Sequence, residues 1–178
     1  MVVDSSREWW YNGFRSTEFG KFETKTRRKE RMKLLSGKVA HQLDAKNRIR
    51  IPAKYKNAFP ENEKLYYVEY APDCISVMPE SVLGERLASF DEVNPGDPVM
   101  MNAKRRILCS IDEVAEDAQG RAQIPKSFRE YAGLVKDVVT VGMGNYIEIW
   151  AQEKFENSVG SMTIEQANRV AYKKSSEQ

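Results

Sequence analysis

One nine-residue segment occurs twice in this chain, and its spacing limits the fold more than any other feature. Asp44-Ala45-Lys46-Asn47-Arg48-Ile49-Arg50-Ile51-Pro52 returns as Asp117-Ala118-Gln119-Gly120-Arg121-Ala122-Gln123-Ile124-Pro125, with Asp, Ala, Arg, Ile and Pro each displaced by 73 positions. The chain therefore contains one supersecondary unit built twice. An acid opens each copy and can bond backbone amides two residues on. Asn47 and Gly120 are the residue types that accept a positive φ. Ile49 and Ile51 then fall on one face of a short strand, with Arg48 and Arg50 on the other. Proline ends the pairing and can open a helix at its first turn.

The surrounding pattern repeats in the same way. Val39, His41 and Leu43 alternate as in a half-buried strand over Lys38 to Leu43, and a short helix is predicted over Ala53 to Phe59. Leu65 to Tyr70 and Ile75 to Met78 read as strands joined at Ala71-Pro72-Asp73. Their counterparts, Val138 to Val141 and Tyr146 to Trp150, flank the hairpin signal Gly142-Met143-Gly144-Asn145. Helices are predicted at Glu80 to Phe90, Pro98 to Ser110 and Gln152 to Ser158. Gly133 is placed to end another, with Leu134 making the accompanying apolar contact. Thr163 with Gln166 forms a capping-box pattern for a tail helix. The expected organisation is a basic extension (1–31), a first repeat (32–90), a connecting loop and helix (91–111), a second repeat (112–159) and a helical tail (160–178). Met32 reads either as the start of translation or as the end of a true basic tail.

Composition sets what the unit can do. At 178 residues and 41% hydrophobic, the chain suits one domain or two small ones packed together. It has no apolar run of membrane length and no apolar signal segment, so a cytoplasmic location is expected. Cys74 and Cys109 lack metal-ligand spacing and read as reduced packing thiols; His41, the only histidine, reads as a packed side chain. The net charge of +2 conceals a local excess, because Lys38, Lys46, Arg48, Arg50, Lys54 and Lys56 face only Asp44 across residues 38–56. No phosphate loop, nucleophile elbow or His/Cys cluster is present, so no enzyme, cofactor, metal or small-molecule substrate is expected.

The segment Leu43 to Ala53, the second copy Asp117 to Arg121, the run Arg129-Glu130-Tyr131-Ala132-Gly133-Leu134 and the hairpin Val141 to Trp150 resemble the MraZ family, within the wider AbrB-like swapped-hairpin group. The resemblance covers roughly Met32 to Val159. It departs from the family at Asn47, where glycine is usual, at Gln123, where the first copy has Arg50, and in the long extension before Met32. What it implies is an α+β fold in which two tandem AbrB-like swapped-hairpin repeats form an intramolecular pseudo-dimeric β-barrel with short helices. It also implies a nucleoid-associated transcriptional regulator that binds double-stranded DNA at direct repeats upstream of the division and cell-wall gene cluster, as a ring-shaped homo-oligomer.

The expected DNA-binding residues are Arg48 and Arg121, whose guanidinium groups can fork to phosphate or to the guanine edge, with Lys46, Arg50 and Lys38 adding phosphate contacts. Asp44, Asn47, Asp117 and Gly120 are expected to brace the turns. A second reading of each D-x-x-x-R is an internal Asp–Arg pair that stiffens the turn. Lys104-Arg105-Arg106 reads as a solvated helix face or a further DNA contact, and Tyr66, Tyr67, Tyr70, Tyr146 and Trp150 as packing residues or base-stacking platforms. The competing function is a structural or protein-interaction ring with only nonspecific DNA affinity.

Overall fold

The computed structural model describes residues 33–90 and 94–175. The basic extension expected over 1–31 and the start of the connecting loop lie outside them. The first half runs β1 (Lys38–Gln42), β2 (Arg48–Ile49), α1 (Ala53–Lys56), β3 (Leu65–Val68), β4 (Cys74–Pro79) and α2 (Glu80–Leu87), followed by a 3-10 turn, Ala88–Phe90. Helix α3 (Pro98–Leu108) leads to β5 (Ile111–Glu113), β6 (Ala122–Gln123), α4 (Lys126–Ala132), β7 (Asp137–Gly142), β8 (Ile147–Ala151) and α5 (Gln152–Ser158). Helix α6 (Ile164–Ser175) follows. The result is a mixed α+β architecture.

Six strands form an antiparallel sheet in the order β1-β7-β8-β4-β3-β5, and β2 and β6 form a separate two-stranded ribbon. The two halves are interleaved. The first strand of each half pairs with the third strand of the other, β1 with β7 and β5 with β3. The repeat offset of 73 is also the symmetry of the pairing. Lys38 faces Val141; moving one forward and the other back by that offset gives Ile111 and Val68, which are themselves partners. The same shift turns the Val77–Ile147 pair into Trp150–Cys74 at the centre of the sheet.

Burial explains why the central strands read as continuous apolar runs and the edges do not. All of β4 is buried, as are the first three residues of β8, because both faces of the sheet are covered there. The larger core joins Ile49, Ile51 and Tyr55 of the first half to Ile124, Phe128 and Ile147 of the second. Tyr55 and Phe128 occupy equivalent places, three residues after Pro52 and Pro125. The Tyr55 hydroxyl donates to the Gly37 carbonyl at 2.7 Å, so the buried phenol is satisfied. A smaller cluster packs Val82 and Leu83 of α2 on Val68, Met78 and Tyr146.

Local signals set the helix ends. Asp97 accepts from the amides of Val99 and Met100 and caps α3. Gly133 takes φ 68° after α4, and the Leu134 amide returns to the Arg129 carbonyl at 2.8 Å. Thr163 and Gln166 exchange the two bonds of a capping box, at 2.9 and 3.2 Å. The helix expected over Ala53 to Phe59 is shorter, ending at Lys56. Phe59 precedes Pro60, and a residue before proline is driven out of the helical region. Strands expected over Arg48 to Ile51 and Leu65 to Tyr70 also stop two residues early.

Two glycines differ in what surrounds them. A Cβ on Gly142 would lie 2.4 Å from the Ser36 nitrogen and 2.5 Å from the Leu35 carbonyl carbon, whereas one on Gly84 meets nothing within 4 Å. In urea unfolding, Gly84→Ala should raise stability by about 0.5–1 kcal/mol by restricting the unfolded chain. Gly142→Ala should lower it by about 1–3 kcal/mol through overpacking against backbone.

Candidate nucleic-acid interface

The two copies of the repeated segment fold into the same turn. In the first, the Asn47 amide donates to the Asp44 carbonyl at 2.9 Å, and Asp44 Oδ1 accepts from the amides of Lys46 and Arg48 at 2.8 and 2.9 Å. In the second, Gly120 donates to the Asp117 carbonyl at 2.8 Å, and Asp117 Oδ1 accepts from Gln119 and Arg121 at 2.9 and 3.0 Å. Asn47 and Gly120 hold φ 58° and 70°. Each carboxylate thus satisfies amides that the tight bend would otherwise leave unpaired.

The second carboxylate oxygen meets the arginines. Asp44 Oδ2 accepts from Arg48 Nε at 2.7 Å, and Asp117 Oδ2 accepts from Arg121 Nε and Nη2 at 3.0 and 2.8 Å. Arg48 also reaches across to the other copy, where its Nη1 donates to Asp117 Oδ2 at 3.1 Å. Asp117 therefore binds both guanidinium groups. Hydrogen bonding from the Arg48 side chain, helped by the backbone amides, holds the Asp44 carboxyl at about 2, and Arg121 does the same for Asp117, also at about 2. Arg48 and Arg121 remain 21% and 30% exposed. A guanidinium carries five N–H groups, so donors remain on both after these bonds.

Between the turns lies the β2–β6 ribbon, with Arg48 opposite Gln123 and Ile49 opposite Ala122. The Ile124 amide extends the register by donating to the Asn47 carbonyl at 3.1 Å. Ile49, Ile51, Ala122 and Ile124 are buried, which sends Arg48, Arg50, Arg121 and Gln123 to the outer face. Lys46 is exposed at the tip of the first turn. Arg50 is exposed and donates through Nη2 to the Gln119 carbonyl at 2.7 Å, so it bridges to the second turn. Lys38 stands apart, six residues before Asp44 at the far end of β1, with its ammonium 5.3 Å from the centre of the Phe155 ring.

The other candidates are engaged elsewhere. Lys104 bonds the Phe90 carbonyl, Arg105 bonds Asn102, and Arg106 pairs with Glu69 at 2.7 Å. His41 Nε2 lies 2.7 Å from Thr140 Oγ1, and burial pushes its pKa down. Tyr67 and Tyr146 are buried, whereas Tyr70 is 53% exposed and carries the Arg86 guanidinium 4.2 Å from its ring centre. Cys74 and Cys109 are free thiols, and burial pushes the Cys74 thiol up to about 12.

Counting only basic residues overlooks a groove of about 710 Å³ beside the second turn, where Asp112, Glu113, Glu116 and Asp117 line a wall that also includes Arg48, Arg121 and Gln123. Lys64 pairs with Glu113 at 2.8 Å, and Lys56 pairs with Glu116. The signal was the run Ile111 to Asp117 itself, since the places of Asp112, Glu113 and Glu116 are filled in the first half by Val39, Ala40 and Leu43.

A family model described as "MraZ protein, putative antitoxin-like" matches residues 107–171. A protein of Natranaerobius thermophilus named "Transcriptional regulator MraZ" is 34% identical over 127 residues, covering 70% of this chain and 85% of the relative. One of Mycoplasmopsis pulmonis with the same name is 33% identical over 140 residues, covering 78% and 93%. The chain belongs to the MraZ family. The MraZ model match holds the second turn and not the first, while the aspartate-to-amide bonds are common to both turns. Among the described residues, no helix is long and apolar enough to cross a membrane.

The depressed carboxyls set a pH window. A carboxyl whose folded pKa is lowered contributes stability that is present above about pH 4 and is lost as pH falls through its folded value. Carbon-13 titration of Asp44 and Asp117 should therefore give midpoints near 2, and Arg121→Ala should move the Asp117 midpoint upward. Midpoints at the ordinary carboxylate value in the folded protein would mean that the arginines have turned away into solvent.

Proposed function

We propose that this MraZ-family protein is a transcriptional regulator that binds double-stranded DNA through the β2–β6 ribbon and its two turns. The observation that carries the reading is the outer face of that ribbon, where Arg48, Arg50 and Arg121 stand together above a buried row of apolar side chains. A two-stranded ribbon has the width that the DNA major groove admits. Arginine and lysine at its tip supply phosphate contacts, which set register and make binding salt-dependent. The bonds to Asp44 and Asp117 hold the Arg48 and Arg121 guanidinium groups in place beforehand, which lowers the entropy lost on contact. Lys38 belongs, on this reading, to a peripheral phosphate contact. The protein acts by binding, in the cytoplasm at the nucleoid, without cofactor.

The same reading treats the two halves as tandem swapped-hairpin repeats closed on each other as an internal pseudo-dimeric barrel. It places several copies in a ring that engages direct repeats upstream of the division and cell-wall gene cluster. Apolar side chains left outside support self-association: Val99 is 74% exposed on α3 and Ile164 78% exposed on α6. A ring suits modules with few contacts each, because tethering raises the effective concentration of the next module and can gain about 10²–10⁴ in avidity. The second reading, a protein-interaction ring with nonspecific DNA affinity, draws on Asp112, Glu113 and Glu116, whose charge in the groove beside Arg48 and Arg121 disfavours phosphate there.

Gel-shift titration decides between them, using the DNA upstream of the protein's own coding sequence against a scrambled duplex at several salt concentrations. The regulator reading expects a preference that persists as salt rises. Lys46→Ala should lower the slope of log affinity against log salt by about 1. Arg48→Ala should abolish the preference while light scattering shows an unchanged oligomer. Equal binding of both duplexes at every salt concentration would support the second reading.

A further inference from the structure

Arg50 and Gln123 occupy equivalent places in the two halves, 73 residues apart, on the outer face of the ribbon. Both are exposed, and each lies between buried neighbours, Ile49 and Ile51 or Ala122 and Ile124. They differ from Arg48 and Arg121 in one respect that matters for recognition: among the described residues, neither is bound to a carboxylate. Arg50 donates to the exposed Gln119 carbonyl at 2.7 Å. Among the described residues the Gln123 side-chain amide makes no hydrogen bond, although it borders the acidic wall of the groove. An uncharged amide there is not drawn into an ion pair with Asp112 or Glu113, so its donor and acceptor stay available.

We propose that Arg50 and Gln123 are base readers of unequal specificity, Arg50 for guanine and Gln123 for adenine, so that each chain recognises a non-palindromic site. This rests on the DNA-binding reading above. Guanidinium offers donors alone and matches the paired acceptors O6 and N7 of guanine; a carboxamide offers one donor and one acceptor and matches N6 and N7 of adenine. Continuing the Arg48–Gln123 register sets Arg50 opposite Arg121, which makes Arg50 and Gln123 diagonal neighbours. Such neighbours lie about 7–8 Å apart, or about two base-pair steps at about 3.4 Å each. Two identical strands related by a twofold axis would present the same side chain twice and read an inverted repeat. Here the equivalent positions carry different chemistry. The second half thus contributes base discrimination without added positive charge, on the side where acidic residues would repel phosphate.

The test is selection from a randomised duplex library with the full-length protein, its Arg50→Gln variant and its Gln123→Ala variant, followed by titration of the enriched duplexes. The wild type should enrich an asymmetric motif with a G·C pair and an A·T pair about two steps apart, and changing either pair should cost about 5- to 150-fold in affinity. Arg50→Gln should convert the G·C position to A·T. Gln123→Ala should make the A·T position degenerate without changing the salt slope, because no charge is removed. A motif that both variants leave unchanged, or a palindromic wild-type motif, overturns the assignment while leaving DNA recognition intact. Enrichment of no motif by the wild type overturns both this assignment and the regulator reading.

Discussion

The pairing of each half's first strand with the other half's third strand is the constraint from which the remaining arrangement follows. Among the described residues β1 has no strand neighbour within its own half, and neither has β5; β7 and β3 supply them. Unpaired backbone groups at a buried edge cost free energy comparable to a lost hydrogen bond each, so the halves close on one another instead of folding separately. The same closure joins the apolar faces of both halves into one core, in which Ile49 and Tyr55 pack with Ile124 and Ile147. It also brings together β2 and β6, which are too short to form a stable structure alone.

Once the ribbon is formed, the two turns lie close enough for their charges to interact across the halves. Arg48 reaches Asp117 as well as Asp44, and Arg50 reaches the backbone at Gln119. These bonds tie the first turn to the second and hold their spacing. They do not use up the arginines, each of which keeps further donors. Internal bracing and DNA contact are therefore compatible uses of the same residue. A guanidinium held by a carboxylate also has fewer rotamers to lose when it meets an external acceptor.

Much of this was legible because the repeat offset is a geometric quantity. Strands that recur at a constant spacing and pair about a common axis must obey the same offset in every register, and the pairs Lys38–Val141 and Val68–Ile111 do so. The turns were legible from Asp44, Asn47, Asp117 and Gly120, since few residue types accept a positive φ. That Phe59 lies outside the helix after Pro52 could have been read from Pro60. The Arg48–Asp117 bond was not legible, because it joins residues 69 apart and depends on which halves cross. The acidic groove was present in the run from Ile111 to Asp117. Reading the chain for positive charge alone passed over it, and in the fold Lys56 and Lys64 from the first half pair with two of those acids.

The inequality of the halves is the property that a single chain can hold and a dimer of identical chains cannot. In a dimer any substitution enters both halves at once, so a basic strand and a neutral one cannot coexist at equivalent places. Here Lys46 and Arg50 face Gln119 and Gln123 as counterparts, and Asp112, Glu113 and Glu116 have no charged counterparts at all. Each chain therefore has a direction, with a basic half and an acid-flanked half. On the proposed reading, copies placed side by side in a closed ring with rotational symmetry keep that direction from one subunit to the next. Sites read by successive copies would then run in the same orientation along the DNA. Direct repeats follow from polar subunits, just as inverted repeats follow from a twofold axis.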